Sequence, residues 1–220
     1  MSGKVLSSSE IEQFMELGYV KVEEAYPRKY ALDAQQFLWD KLEQKHEVLR
    51  SDRSTWKEPM IRLQETYVDD VFQKCNTTRL ADAIEDLVGE GRIAKRIVYG
   101  ESDDQHHWGW WPVNFALGAD RPWTVPTQAW HWDGIHFRHY VDSKDQGLLC
   151  LCLFSDIGPQ GGGTLVVEGS HKIVARFLQE QKDGIEHAEG IHTVVTNHPW
   201  LAELTGHTKE TKEEDRVDKF

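Results

Sequence analysis

The chain reads as an α+β domain in which flanking helices precede a sandwich or double-sheet jelly roll. Two observations predict this. Apolar residues recur at helical spacing as far as Gly89, and after it come short β-type runs separated by Gly, Pro and Asp turns. A third concerns extent. With 220 residues, 39% hydrophobic and 28% charged, and no shift of composition along its length, the chain can build one core, so a single domain over 1–220 is expected.

The first helix opens with a capping box, Ser7 as cap and Glu10 three positions on, and Leu6 and Ile11 stand where a hydrophobic staple closes. Ile11, Phe14 and Met15 form its apolar stripe and Gly18 ends it. Tyr19–Val22 alternates like a strand. Pro27 starts a second helix with Tyr30, Ala34, Phe37, Leu38 and Leu42 on one face, and Leu80, Ala83, Ile84, Leu87 and Val88 mark a third, closed by Gly89. Strands are expected at Ile93–Tyr99, Trp110–Leu117, Thr124–Trp132, Leu148–Phe154 and Thr164–Val167, the fourth buried on both sides. Ser170 caps a helix through Leu178, and Ile191–Val195 reads as a short strand. Gly161, Gly162 and Gly163 form a turn fixed by Pro159; no phosphate-cradle pattern surrounds them.

A net charge of -12 argues against a nucleic-acid partner, because phosphate backbones need clustered Lys and Arg. No run of about 18 apolar residues predicts a membrane span, and the first residues lack a signal-peptide core. Three cysteines, Cys75, Cys150 and Cys152, read as reduced thiols, the last two as small core residues on one strand face, so a cytoplasmic location is expected.

The chemistry concentrates in Gln128-Ala-Trp-His-Trp-Asp-Gly134. Residues two apart in a strand project from one face, so His131 and Asp133 aim at one point. An imidazole and a carboxylate converging there, with a second His from elsewhere, make the facial triad that holds iron(II) and leaves the opposite positions open. By the same parity Trp130 and Trp132 face the core. Trp108, Trp110, Trp111 and Trp123 are divided between core packing and a pocket wall. His136 and His139 lack the helical spacing of a zinc peptidase motif; exposure, or a role behind the metal ligands, suits them better.

His131-x-Asp133, then Gly162-Gly163-Thr-Leu-x-Val, then Gly169-Ser-His-Lys172, resembles the phytanoyl-CoA dioxygenase family. The opening stretch from Leu6 to Val20 is similar to that family's N-terminal helix and strand. The resemblance spans positions 6 to about 172. It implies a jelly-roll oxygenase using Fe(II) as cofactor and 2-oxoglutarate as co-substrate, which couples oxidative decarboxylation to succinate and CO2 with hydroxylation of a small-molecule substrate. The carboxylate of Asp133 marks a hydroxylase, since halogenating relatives lack an acid there.

The pattern breaks downstream. The family's third ligand is a late-strand His followed about ten residues on by an Arg that pairs with 2-oxoglutarate. No such pair follows Gly169-Ser-His-Lys172, and the end, from Lys209, is a charged polar stretch. The expectation is a jelly roll incomplete at its C-terminus, with a truncated, non-catalytic binding module as the alternative function. His171, His192, His198, His207 and His187 are the remaining histidines that could complete the triad, in descending order of pattern.

Overall fold

The computed structural model describes residues 3–92, 96–98, 101–103, 108–123, 125–126, 129–143 and 147–206. It is mixed helix and antiparallel sheet. Two compact units gather its contacts: Met1–Phe14, Val20–Arg121 and Cys150–Val166 in the first, and Met15–Tyr19, Pro122–Leu149 and Val167–Phe220 in the second.

Helix α1 (Ser8–Leu17), in the first unit as far as Phe14, begins on the expected box: Ser7 N–H donates to Glu10 Oε2 at 2.8 Å and Glu10 N–H to Ser7 Oγ at 3.3 Å. Helix α2 (Arg28–His46) follows Pro27 and buries Ala34, Leu38 and Leu42, the predicted face. Strand β1 (Met60–Leu63), unforeseen, pairs antiparallel with β4 (Trp111–Asn114), Leu63 opposite Trp111. Between them lie α3 (Asp70–Gln73), α4 (Thr78–Val88) and the antiparallel pair β2 (Arg96–Val98) and β3 (Glu101–Asp103). Thr77 caps α4, its hydroxyl oxygen accepting from Leu80 N–H at 3.1 Å, and Gly89 ends it at φ +100°. The core is α2 packed on β1, β4 and α3 through Leu38, Leu42, Leu63, Phe72, Trp111 and Phe115.

Asp86, on α4, closes the N-terminal segment. Its carboxylate accepts from the backbone N–H groups of Lys4, Val5 and Leu6 at 2.7, 2.8 and 2.9 Å. Burial raises its pKa, but the three backbone donors and the Lys4 ammonium outweigh burial, and the carboxyl titrates below the usual aspartate range. A depressed folded pKa gives stability that is present above the unfolded value, about 3.9, and is lost as pH falls through the folded one. Asp86→Ala is therefore expected to cost about 1–2 kcal/mol at pH 7. The gap to wild type should narrow steadily below about pH 4 in urea unfolding; a gap unchanged at pH 3 would remove the carboxylate from this account.

Several expected strands are not strands. Ile191–Val195 lies inside α6 (His187–Asn197). Its β-branched run suggests a strand, but Ile191, Val194 and Val195 fall at helical spacing, and Val194 and Val195 are buried on that one side. Tyr19–Val22, Leu148–Phe154, Thr164–Val167 and the described part of Thr124–Trp132 belong to no ladder among the described residues. Nor is Leu148–Phe154 buried on both sides, since Leu151 and Leu153 are more than half exposed. An extended segment becomes a strand only when a neighbour takes its backbone groups. Here side chains do so instead: the Tyr26 hydroxyl donates to Leu153 O and the Gln35 amide to Phe154 O, both at 3.0 Å. Of the two cysteines expected in the core, Cys152 is half-buried and Cys150 exposed, because their segment lies against no second layer among the described residues; Cys75 is the buried one, and all three are free thiols. Burial pushes the Cys75 thiol up to about 11 and that of Cys152 up to about 12, so neither is a reactive thiolate.

The second unit carries α5 (Ser170–Glu180), α6 and α7 (Pro199–Thr205). Gly169, at φ +77°, precedes α5, and its N–H donates to Leu17 O at 2.8 Å. The His171 imidazole bonds Met15 O at 3.2 Å and Lys172 pairs with Glu16 at 2.6 Å. Gly169-Ser-His-Lys172 thus satisfies and neutralises the C-terminal end of α1. Gly18 is required there, since a Cβ on it would lie 2.5 Å from His171 Nδ1. No helix among the described residues is long and apolar enough to cross a membrane.

Candidate metal centre

His131 and Asp133 lie in the second unit on a segment that has no ladder partner, so a strand does not align them. The local chain does. Ala129 sits at φ +67°, a left-handed conformation that costs a residue with a Cβ about 1 kcal/mol or more. That twist brings its carbonyl to 2.8 Å from His131 Nδ1. A carbonyl only accepts, so Nδ1 carries a proton, and when the ring is neutral Nε2 is the nitrogen that bears the lone pair. Nε2 lies 3.7 Å from Asp133 Oδ1, and both side chains are partly exposed. Gly134 follows at φ +113°, where a Cβ would lie 2.5 Å from the Phe137 ring and 2.7 Å from that of His139.

Behind this pair stands a layer of rings. Trp132 packs on Gly190 of α6, where a Cβ would come within 2.9 Å of the indole. Its Nε1–H donates to His139 Nδ1 at 3.2 Å, and His139 Nε2 lies 2.8 Å from Gly134 O. His187, first residue of α6, donates from Nε2 to Trp132 O. Its ring centroid is 5.4 Å from that of His139 and 6.0 Å from that of Trp132. Burial lowers the His187 pKa below that of an ordinary histidine, outweighing the opposing Trp132 carbonyl, so the ring is neutral. His139 is fully buried and also joins the chain at Ile185, its N–H donating to Ile185 O at 2.8 Å and its O accepting from Ile185 N–H at 3.0 Å. Arg138 adds bonds to Asp183 O and Gly184 O at 2.8 and 2.9 Å.

As donors, an imidazole nitrogen and a carboxylate oxygen suit iron(II). His131 Nε2 and Asp133 Oδ1, 3.7 Å apart, are the two donors that would hold such an ion. Two positions of a facial triad therefore fit. Among the described residues no three His, Cys, Asp or Glu side chains come together to hold a metal ion. His171 is engaged with α1, His192 lies on α6 and not on a strand, and His198 stands at the α6–α7 junction. His106, His107 and His207 lie outside the described residues.

Sequence reasoning singled out His131 and Asp133 and divided His136 and His139 between exposure and a supporting role. His136 is exposed, whereas His139 is buried behind the pair. His187 had no pattern in its favour; the overlooked signal was Gly190 three residues on, whose missing side chain admits Trp132. Trp111 is core and Trp108 packs beside it, while Trp110 and Trp123 are 62% and 57% exposed, which excludes a core role for the latter two. No protein-family model matches the chain, and no curated protein or solved structure is found similar to it.

Proposed function

We propose that the chain is an iron(II)- and 2-oxoglutarate-dependent oxygenase of the phytanoyl-CoA dioxygenase type, hydroxylating a small-molecule substrate and releasing succinate and CO2. A jelly roll is the architecture that reading implies. One observation carries it: the His131 ring is held through Nδ1 by Ala129 O, and its Nε2 converges with the Asp133 carboxylate at 3.7 Å. An exposed His–Asp ion pair is worth little in water and by itself gives no reason for a strained alanine beside it. A preset imidazole is what a metal site requires.

In this reading His131 and Asp133 hold the iron. Bound iron and 2-oxoglutarate supply the activation of dioxygen. The chain's own part is positional and electrostatic. Ala129 O fixes the tautomer and plane of His131, and the negative charge of Asp133 compensates part of the cation's charge. Trp132, packed on Gly190, joins the segment that carries the pair to α6.

The test is an anaerobic titration of the protein with iron(II), followed by 2-oxoglutarate. One-to-one iron binding and a new visible absorption band on adding 2-oxoglutarate are expected. Iron binding with no band would reject the 2-oxoglutarate assignment. No iron binding would leave a non-catalytic binding module as the reading.

A further inference from the structure

We propose that His139 is a positioning residue for the His131–Asp133 pair: its imidazole ties the Trp132 indole to the Gly134 carbonyl, and so fixes the chain on both sides of Asp133. The proposal rests on the metal-site reading above, because it assigns His139 a purpose only if the direction of Asp133 matters.

The hydrogen bonds leave one protonation state. An indole N–H can only donate, so His139 Nδ1 accepts from Trp132 Nε1 at 3.2 Å. The proton of the neutral ring is therefore on Nε2, aimed at Gly134 O, 2.8 Å away. Trp132 and Gly134 are the covalent neighbours of Asp133. His187 completes the arrangement by donating to Trp132 O, the carbonyl of the peptide that leads into Asp133. The carbonyls of Trp132 and Gly134 are thus each held by an imidazole.

The clamp has a rigid base. His139 is fully buried, wedged against Phe137 at a centroid distance of 4.6 Å and Trp132 at 5.8 Å. Its backbone is bonded in both directions to Ile185, two residues before His187. Both imidazoles therefore grow from one short stretch of paired chain, and the Asp133 segment is bonded to both. A ring that only fills space would not need its two nitrogens matched to a donor on one neighbour of Asp133 and an acceptor on the other. Groups placed behind metal ligands in this way orient them, and their loss costs roughly 10–100-fold in metal affinity.

Three variants separate the contacts. His139→Phe keeps a ring and removes both bonds; His139→Gln keeps a donor for Gly134 O; His139→Asn keeps an acceptor for Trp132. In the metal-free wild type, a two-bond proton–nitrogen NMR spectrum is expected to show His139 as the Nε2–H tautomer. The Nδ1–H tautomer would overturn the proposal. His139→Phe is expected to shift the Asp133 backbone amide signal and to weaken binding of iron(II) alone roughly 10–100-fold, with His139→Gln recovering part of the loss. A folded His139→Phe protein with an unmoved Asp133 amide and wild-type iron affinity would overturn it. Should His139→Phe not fold, the same two readouts on the Gln and Asn variants decide. If wild type binds no iron that Asp133→Ala abolishes, the metal reading fails by itself, and the metal-free tautomer and Asp133 amide still judge the clamp.

Discussion

Asp133→Ala is expected to bring 2-oxoglutarate turnover to background while leaving the fold intact. The two halves of that result have separate causes. Removing a carboxylate ligand from a site with His131 as its other described donor leaves one donor to hold the ion, and iron(II) affinity should fall with turnover. Stability should hardly move. The Asp133 side chain is 58% exposed, and substitutions at such positions usually stay within about 0.5 kcal/mol. Succinate formation from 2-oxoglutarate, read beside a urea unfolding curve, distinguishes the outcomes. Wild-type-like succinate production by the variant would reject Asp133 as a ligand. Lost turnover with a large fall in unfolding midpoint would reassign Asp133 to the structure of its loop.

That prediction was reachable from the sequence by reasoning that proved only partly right. Alternation along a strand put His131 and Asp133 on one side, and their side chains do converge, 3.7 Å apart. What aligns them is different: a left-handed Ala129 and two imidazoles, none of which leaves a local pattern. Nothing in an alanine announces φ +67°, whereas Gly134 at φ +113° is a glycine for a visible reason. His187 reaches Trp132 across 55 residues of chain, a pairing that periodicity cannot express.

The helices were legible because their determinants are local. Ser7 and Glu10 cap α1, Pro27 precedes α2, and Gly89 ends α4, each within a few residues of the turn it shapes. The strands were not. Met60–Leu63 earns its ladder only because Trp111–Asn114 lies opposite, while the more apolar Leu148–Phe154 finds no such neighbour among the described residues. Strand propensity describes half of a pair. The likeness of the Gly169-Ser-His-Lys172 run to a family motif has a structural account here, since its contacts with Met15, Glu16 and Leu17 finish helix α1.

The largest effect on stability is expected from Phe72→Ala. Phe72 sits on α3, a helix of four residues that contributes little stability of its own, and yet is completely buried. Its ring lies 4.7 Å from that of Trp111, 5.2 Å from Phe37 edge-on, and 5.7 Å from Tyr67 in a stack. Four neighbouring rings, with Phe154 at 6.1 Å, cannot collapse into the space of a missing phenyl group without leaving their own packing. The loss should therefore approach the upper part of the range for such truncations, about 3–5 kcal/mol. Against a typical total of about 5–15 kcal/mol this leaves a marginal fold. Urea unfolding followed by tryptophan fluorescence should show a lower midpoint with the slope preserved, and Phe72→Leu should recover much of the loss. A cost below about 1 kcal/mol would mean that α3 does not seat Phe72 among these rings, because no buried phenyl group is removed so cheaply.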